Sequence, residues 1–228
     1  MKNIFRIFAP ILFFFFMVFV IGCSKQEEEQ PTLTEKLLNP DPAELNQPSP
    51  SSFKVKFETS KGNFVIEVFR NWSPYGADRF YYLVKNGFYN NVRFFRVVEG
   101  FMAQFGYHGD PQVTAIWSEM TFPDDPVKGS NLRGYVTFAK GAAPNSRSTN
   151  IFINYGDNSY LDRIGFSPIG KVVEGMEVVD QLYSGYGDSS SSGGRGPEQS
   201  ILRTEGNEYL NREFPNLDYI KKASIISQ

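Results

Sequence analysis

The sequence predicts a mainly β domain, a barrel or sandwich with a few helices packed against it. Two observations carry this. Short runs of apolar and polar alternation recur between turn residues from Phe53 onward, and only two or three segments show helical spacing. The 176 residues from Phe53 to Gln228 are also the length of one domain, and they contain no internal repeat.

The alternation starts at once. Phe53, Val55 and Phe57 interleave with Lys54, Lys56 and Glu58. Ser60-Lys61-Gly62 follows, then Phe64, Ile66 and Val68. Two such runs around a glycine-bearing turn predict an antiparallel hairpin. Ser73 can then cap a helix, Pro74 suits its first position and Gly87 its end. Within it Ala77, Phe80, Tyr81 and Val84 make one apolar face. Val92–Val98 and Phe101–Phe105 read as strands, and Gly109–Asn131 as a polar, proline-rich connection. Further strands are expected at Gly134–Ala139, Ile151–Asn154 and Phe166–Val173, and a second amphipathic helix at Met176–Tyr183. Ser184–Gly196 is a low-complexity Ser/Gly loop, Glu198–Asn211 has helical composition, and Tyr219–Ser227 reads as a last strand pairing with the first.

Two zones precede the domain. Met1–Gly22 has a basic start (Lys2, Arg6) and a phenylalanine-rich apolar run from Ile7. That run is slightly long for a signal-peptide core and short of the roughly 18 or more residues of a spanning helix. The run ends at Val20-Ile21-Gly22-Cys23, which resembles a bacterial lipobox, and Cys23 is the only cysteine. Residues 1–22 are therefore expected to be a lipoprotein signal peptide, with Cys23 the lipidated first residue of the mature chain. Localisation follows as a lipid anchor on a bacterial cell membrane, inner or outer, with the domain facing the periplasm or exterior. Residues 23–52 carry Glu27-Glu28-Glu29 and five prolines with few apolar side chains. Such a segment cannot bury enough surface to offset its ordering entropy, so it is expected to be a flexible tether. A short helix over Leu33–Leu38 is compatible with the pattern.

Composition excludes several function classes. Without Lys2 and Arg6 the chain has 21 basic and 25 acidic residues, and no basic stripe appears, so nucleic acid is not an expected partner. One cysteine allows no intrachain disulfide. One histidine, His108, with no ligand cluster beside it argues against a metal site. No nucleophile elbow, phosphate loop or dinucleotide fingerprint is present, and no cofactor is implied.

What remains is Arg96, a cation on an otherwise apolar strand with Phe94, Phe95, Val97 and Val98. An arginine aimed inward among aromatic side chains is costly unless it binds something. Three ordered segments give it a context. Phe94-x-Arg96 with Phe101-Met102-x-Gln104 is the first. The second is Gly134–Lys140 followed by Pro144-Asn145 and Asn150-Ile151-Phe152-Ile153. The third is Tyr160-Leu161-Asp162 with Phe166 and Gly170-Lys171-Val172-Val173-Glu174-Gly175-Met176.

Together these resemble the cyclophilin-type peptidyl-prolyl cis-trans isomerases, over roughly Phe53–Gly185 plus the terminal strand. The resemblance implies a closed eight-stranded antiparallel β-barrel capped by two helices, acting on proline-containing polypeptides as a monomer. It implies Arg96 as catalytic donor, with Gln104 orienting it or bonding substrate. It implies Phe101, Met102, Phe152 and Leu161 as the proline pocket, and Ala139, Lys140, Asn150, Tyr160 and Phe166 as further substrate contacts. Phe105-Gly106 stands where the family has Gly-Gly, which should crowd that turn. Asn150 replaces a common glutamine, Tyr160 a tryptophan and Phe166 a histidine, which implies weak cyclosporin binding. The segment 186–218, with its helical stretch, has no counterpart in minimal members. The reading is thus an isomerase for exported proteins, outside the cytoplasmic membrane. The alternative is a cyclophilin-like binding module or chaperone with vestigial catalysis.

Overall fold

The computed structural model describes residues 32–227. The signal segment and Cys23 lie outside them. Strand β1 (Ser52–Thr59) buries every second residue, as its alternation requires, and pairs antiparallel with β2 (Asn63–Phe69) from Ser52↔Phe69 to Glu58↔Asn63. Gly62 closes the turn at φ 140°, with its carbonyl accepting from the Thr59 N–H at 2.8 Å.

The expected tether is folded from Thr32 onward. Helices α1 (Leu33–Leu38) and α2 (Pro42–Leu45) are each capped, by Thr32 and Asp41. Leu37 is buried in the main core, and its carbonyl accepts the Trp117 indole N–H at 2.9 Å. Ser49 donates twice to Asp78, and Lys85 pairs with Glu44 at 2.8 Å. The sparse apolar residues of this segment are enough because a few specific partners receive them.

Helix α3 (Pro74–Lys85) sets Ala77, Phe80 and Val84 into the core, where Phe80 meets the rings of Phe53 and Phe57. Ser73 does not cap it. Its hydroxyl donates to the Pro168 carbonyl, while Asp125 accepts the helix-end N–H groups of Tyr75 and Gly76 at 3.1 and 2.8 Å. The proline-rich connection after Gly109 holds an unexpected helix, α4 (Pro111–Glu119). Pro111 is at its first position, where a missing N–H costs nothing, and Asp110 caps it.

The remaining strands are β3 (Arg96–Val98), β4 (Met102–Phe105), β5 (Tyr135–Phe138), β6 (Ile151–Asn154), β7 (Pro168–Glu174) and β8 (Ile220–Ser227). β8 pairs antiparallel with β1. The sheet order is β3-β4-β6-β5-β7-β2-β1-β8. This is a curled open sheet rather than the expected closed barrel. Its end strands share no ladder, because β3 begins only at Arg96 and the residues before it turn toward the other edge. Asn91–Phe94 meet the start of β8 through one bridge, Arg93↔Tyr219, and a few backbone bonds such as Phe94 N–H to Asp218 O at 2.9 Å. The second expected helix is also shorter: α5 covers only Met176–Val179. Beyond it α6 (Gln199–Glu213) is interrupted at Gly206, whose φ of 58° lets the backbone approach Gly109.

Two apolar clusters meet at residues 94–97, where the chain enters β3. Phe94 and Val97 belong to the main core with Phe105. Phe95 points the other way, into a smaller core with Tyr107, Leu202, Tyr209, Leu210 and Leu217. That smaller core fastens the 186–218 segment to the sheet.

Candidate functional site

The site is built on three neighbouring strands. Register places Arg96 opposite Gln104 across β3 and β4, and Gln104 opposite Phe152 across β4 and β6. Directly paired residues have side chains about 5 Å apart on one face. The three side chains therefore form a row, and Arg96 Nη1 donates to Gln104 Oε1 at 3.1 Å. The turn after β3 returns Phe101 under the guanidinium, 5.7 Å from ring centroid to Cζ.

Beside this row lies an apolar pocket. Met102, Phe152 and Leu161 are buried together, with Val98, Phe101, Ala139 and Phe166 packed at their edge. Leu161 arrives on a 3-10 turn (Ser159–Ile164), and Phe166 meets the Phe152 ring edge-on at 5.8 Å. The surrounding groove measures ≈ 410 Å³. Arg96, Gln104, Phe101, Met102, Ala139, Lys140, Asn150, Phe152, Leu161 and Phe166 all line it, as the sequence implies. Asn150 brings a buried side-chain amide oxygen that accepts no hydrogen bond among the described residues. Lys140 is tethered beside Asp124 at 3.7 Å.

Two expectations need correcting. Tyr160 does not line the groove; it is 56% exposed, because the 3-10 turn points its neighbour Leu161 inward instead. Phe105 does not crowd the turn either. Its ring is fully buried in the main core, edge-on to Phe57, Tyr89 and Phe94 at 5.0–5.7 Å. Gly106 is the position that needs glycine, since a Cβ there would lie 2.5 Å from the Thr149 carbonyl oxygen.

Sequence reasoning missed the opposite wall. Tyr107, Gln199 and Arg203 line the groove, joined in a chain: Arg203 Nε donates to the Tyr107 hydroxyl at 3.1 Å, which donates to Gln199 Oε1 at 3.0 Å. Asp188, from the Ser/Gly loop, takes Arg96 Nε and Nη2 on its two carboxylate oxygens, each at 2.8 Å. Burial pushes the Asp188 carboxyl up, but the bonds from Arg96 and the Ser189 N–H outweigh it and hold it below the usual carboxylate range. No residue pattern in the loop signals this contact.

An apolar pocket edged by a fixed guanidinium suits a reaction that holds a ring and turns a bond. The comparisons agree. A family model described as cyclophilin type peptidyl-prolyl cis-trans isomerase/CLD matches residues 54–204. A peptidyl-prolyl cis-trans isomerase of Acinetobacter baylyi is 34% identical over 133 residues, covering 56% of this chain and 70% of the relative. Peptidyl-prolyl cis-trans isomerase B of Escherichia coli is 35% identical over 136 residues, covering 56% and 82%. A crystal structure of a Cryptosporidium parvum cyclophilin type isomerase superimposes with a TM-score of 0.58 at 24% identity, covering 78% of this chain and 99% of that one. Another, determined in the presence of the dipeptide Ala-Pro, gives 0.57. The chain belongs to the cyclophilin-type peptidyl-prolyl cis-trans isomerase family.

Proposed function

We propose that this groove isomerises X-Pro bonds of exported proteins outside the cytoplasmic membrane, with Arg96 as the catalytic donor. Rotation about a peptide bond is opposed by a resonance barrier of ~18–20 kcal/mol. For X-Pro the two isomers differ by only about 1 kcal/mol, yet exchange takes tens of seconds or more. No bond breaks, so neither nucleophile nor acid–base pair is required. The site must hold the proline ring and favour the twisted state, in which the prolyl nitrogen regains a lone pair. Millisecond turnover needs an acceleration of about 10⁵, or roughly 7 kcal/mol.

The observation that carries this reading is the placement of Arg96, bonded to Gln104, at the edge of the Met102–Phe152–Leu161 pocket. The pocket takes the ring, the guanidinium bonds the twisted amide, and the free Asn150 acceptor and the Ala139–Lys140 backbone receive the flanking chain. A fixed donor aimed at developing charge is worth about 10²–10³ in rate. Arg96→Ala in the full-length protein should therefore cut turnover of a proline-containing peptide by about that factor. Turnover within twofold of the parent would end the assignment.

The anchor is part of the same proposal. Among the described residues no helix is long and apolar enough to cross a membrane, and the one cysteine stands where acylation requires it. Mass spectrometry of the mature N-terminus should show acyl groups on Cys23; a cleaved chain without them would refute the anchor.

A further inference from the structure

Arg96 is held from three sides before any substrate arrives. Gln104 takes Nη1, the Phe101 ring lies against the face, and Asp188 occupies the side edge through Nε and Nη2. The Asp188 pair is the only two-pronged contact of the three. Planar fork-to-fork bonding of this kind fixes orientation as well as position. It uses, with Gln104, three of the five N–H groups that a guanidinium carries, so one on Nη1 and one on Nη2 stay uncommitted. Both partners are about a quarter exposed (25% and 27%), so the pair sits in the groove wall rather than in open water.

The loop that supplies Asp188 is shaped around it. The Gly196 N–H donates to the Asp188 carbonyl at 2.6 Å, and a bridge joins Ser189 to Gly196. A Cβ at Gly194 would come within 2.1 Å of the Asp188 carbonyl oxygen. The Ser189 N–H donates back to Asp188 Oδ1 at 2.8 Å, and Glu198 at the head of α6 accepts the Ser191 N–H at 2.5 Å. Glycines and serines here are therefore what lets the chain fold tightly enough to present one carboxylate.

We infer that Asp188 is a positioning residue for the catalytic arginine, and that the Ser/Gly loop is its mount. A long flexible side chain tied only to Gln104 could swing about a single hydrogen bond. Asp188 removes that freedom and leaves the Nη1 and Nη2 hydrogens for the prolyl amide. The inference rests on Arg96 being the donor, as proposed above.

The test uses the full-length protein, a proline-containing peptide and three variants: Arg96→Ala, Asp188→Ala and Asp188→Asn. Asp188→Ala should lower kcat about 10–30-fold with KM within twofold. Asp188→Asn, which keeps one acceptor oxygen, should recover part of the loss. Arg96→Ala with parental activity defeats the reading of Arg96. Arg96→Ala inactive beside Asp188→Ala at parental or higher kcat defeats the positioning role alone. A rise in KM at constant kcat also overturns it. In the unmutated protein the Arg96 Nε–H should give a slowly exchanging proton resonance, because it is bonded to Asp188; rapid exchange there contradicts the inference without any variant.

Discussion

The groove has two walls of different origin. One is sheet: Arg96, Gln104 and Phe152 stand in register on β3, β4 and β6. The other comes from the 186–218 segment and from Tyr107 facing it: Gln199 and Arg203 line the groove from a broken helix on its own small core, and Asp188 reaches Arg96 from the loop before that helix. The sheet wall presents a pocket and a guanidinium. The added wall fixes the guanidinium and supplies polar groups in the chain Arg203–Tyr107–Gln199. On the proposed mechanism, the chemistry resides in the part whose geometry the sheet enforces.

If the walls are separate units, damage to each should differ in kind. Phe105→Ala removes a fully buried ring packed edge-on against three others, Phe57, Tyr89 and Phe94. A cavity of that sort costs about 3–5 kcal/mol. For a domain of this size that lowers Tm by roughly 6–20 °C. Leu202→Ala strikes the smaller core instead, at about 2–5 kcal/mol of local stability. Because that core holds only the added wall, the main thermal transition should move less, while kcat falls as Asp188 loses its support. Calorimetry and peptide turnover on both variants decide this. Equal loss of Tm in the two would mean that the walls form one cooperative unit.

The walls also differ in how far the sequence discloses them. Arg96 and Gln104 are eight residues apart on a hairpin, and the family resemblance implies them as a pair that the strand register then sets face to face. Phe152 comes likewise from the resemblance, since Ile151-Phe152-Ile153 is an unbroken apolar run with no alternation to aim it. Asp188 lies 92 residues from Arg96, in a Ser/Gly run with no periodicity, and only tertiary packing joins them. Proline misled twice for one reason. Pro111 and the prolines before Phe53 suggest irregular chain, yet Pro111 and Pro42 each open a helix. Tyr160 and Leu161 are adjacent, and no pattern says which faces the groove; the 3-10 turn decides. The open edge between β3 and β8 was equally hidden, since alternation marks strands but not where a ladder stops.

The smallest expected effect concerns pH, and it separates the walls again. On the proposed mechanism the sheet wall works through an arginine, a side chain that keeps its charge throughout the physiological range. The peptide isomerisation rate should therefore be nearly flat from about pH 6 to 8. The added wall works through a carboxylate whose pKa is depressed, so its stabilising pair is fully present above the ordinary aspartate value of about 3.9 and is lost only as pH falls below it. Acidification should then reduce kcat only below that value, and Asp188→Asn should remove this acid limb while lowering the plateau. A bell-shaped profile centred near neutrality would instead require a titrating group in the reaction. His108, the one histidine, is a poor candidate: burial holds it below its usual pKa, and its Nδ1 accepts the Asp110 N–H at 3.0 Å. Such a profile would therefore count against a mechanism in which a fixed guanidinium twists the bond and nothing exchanges a proton.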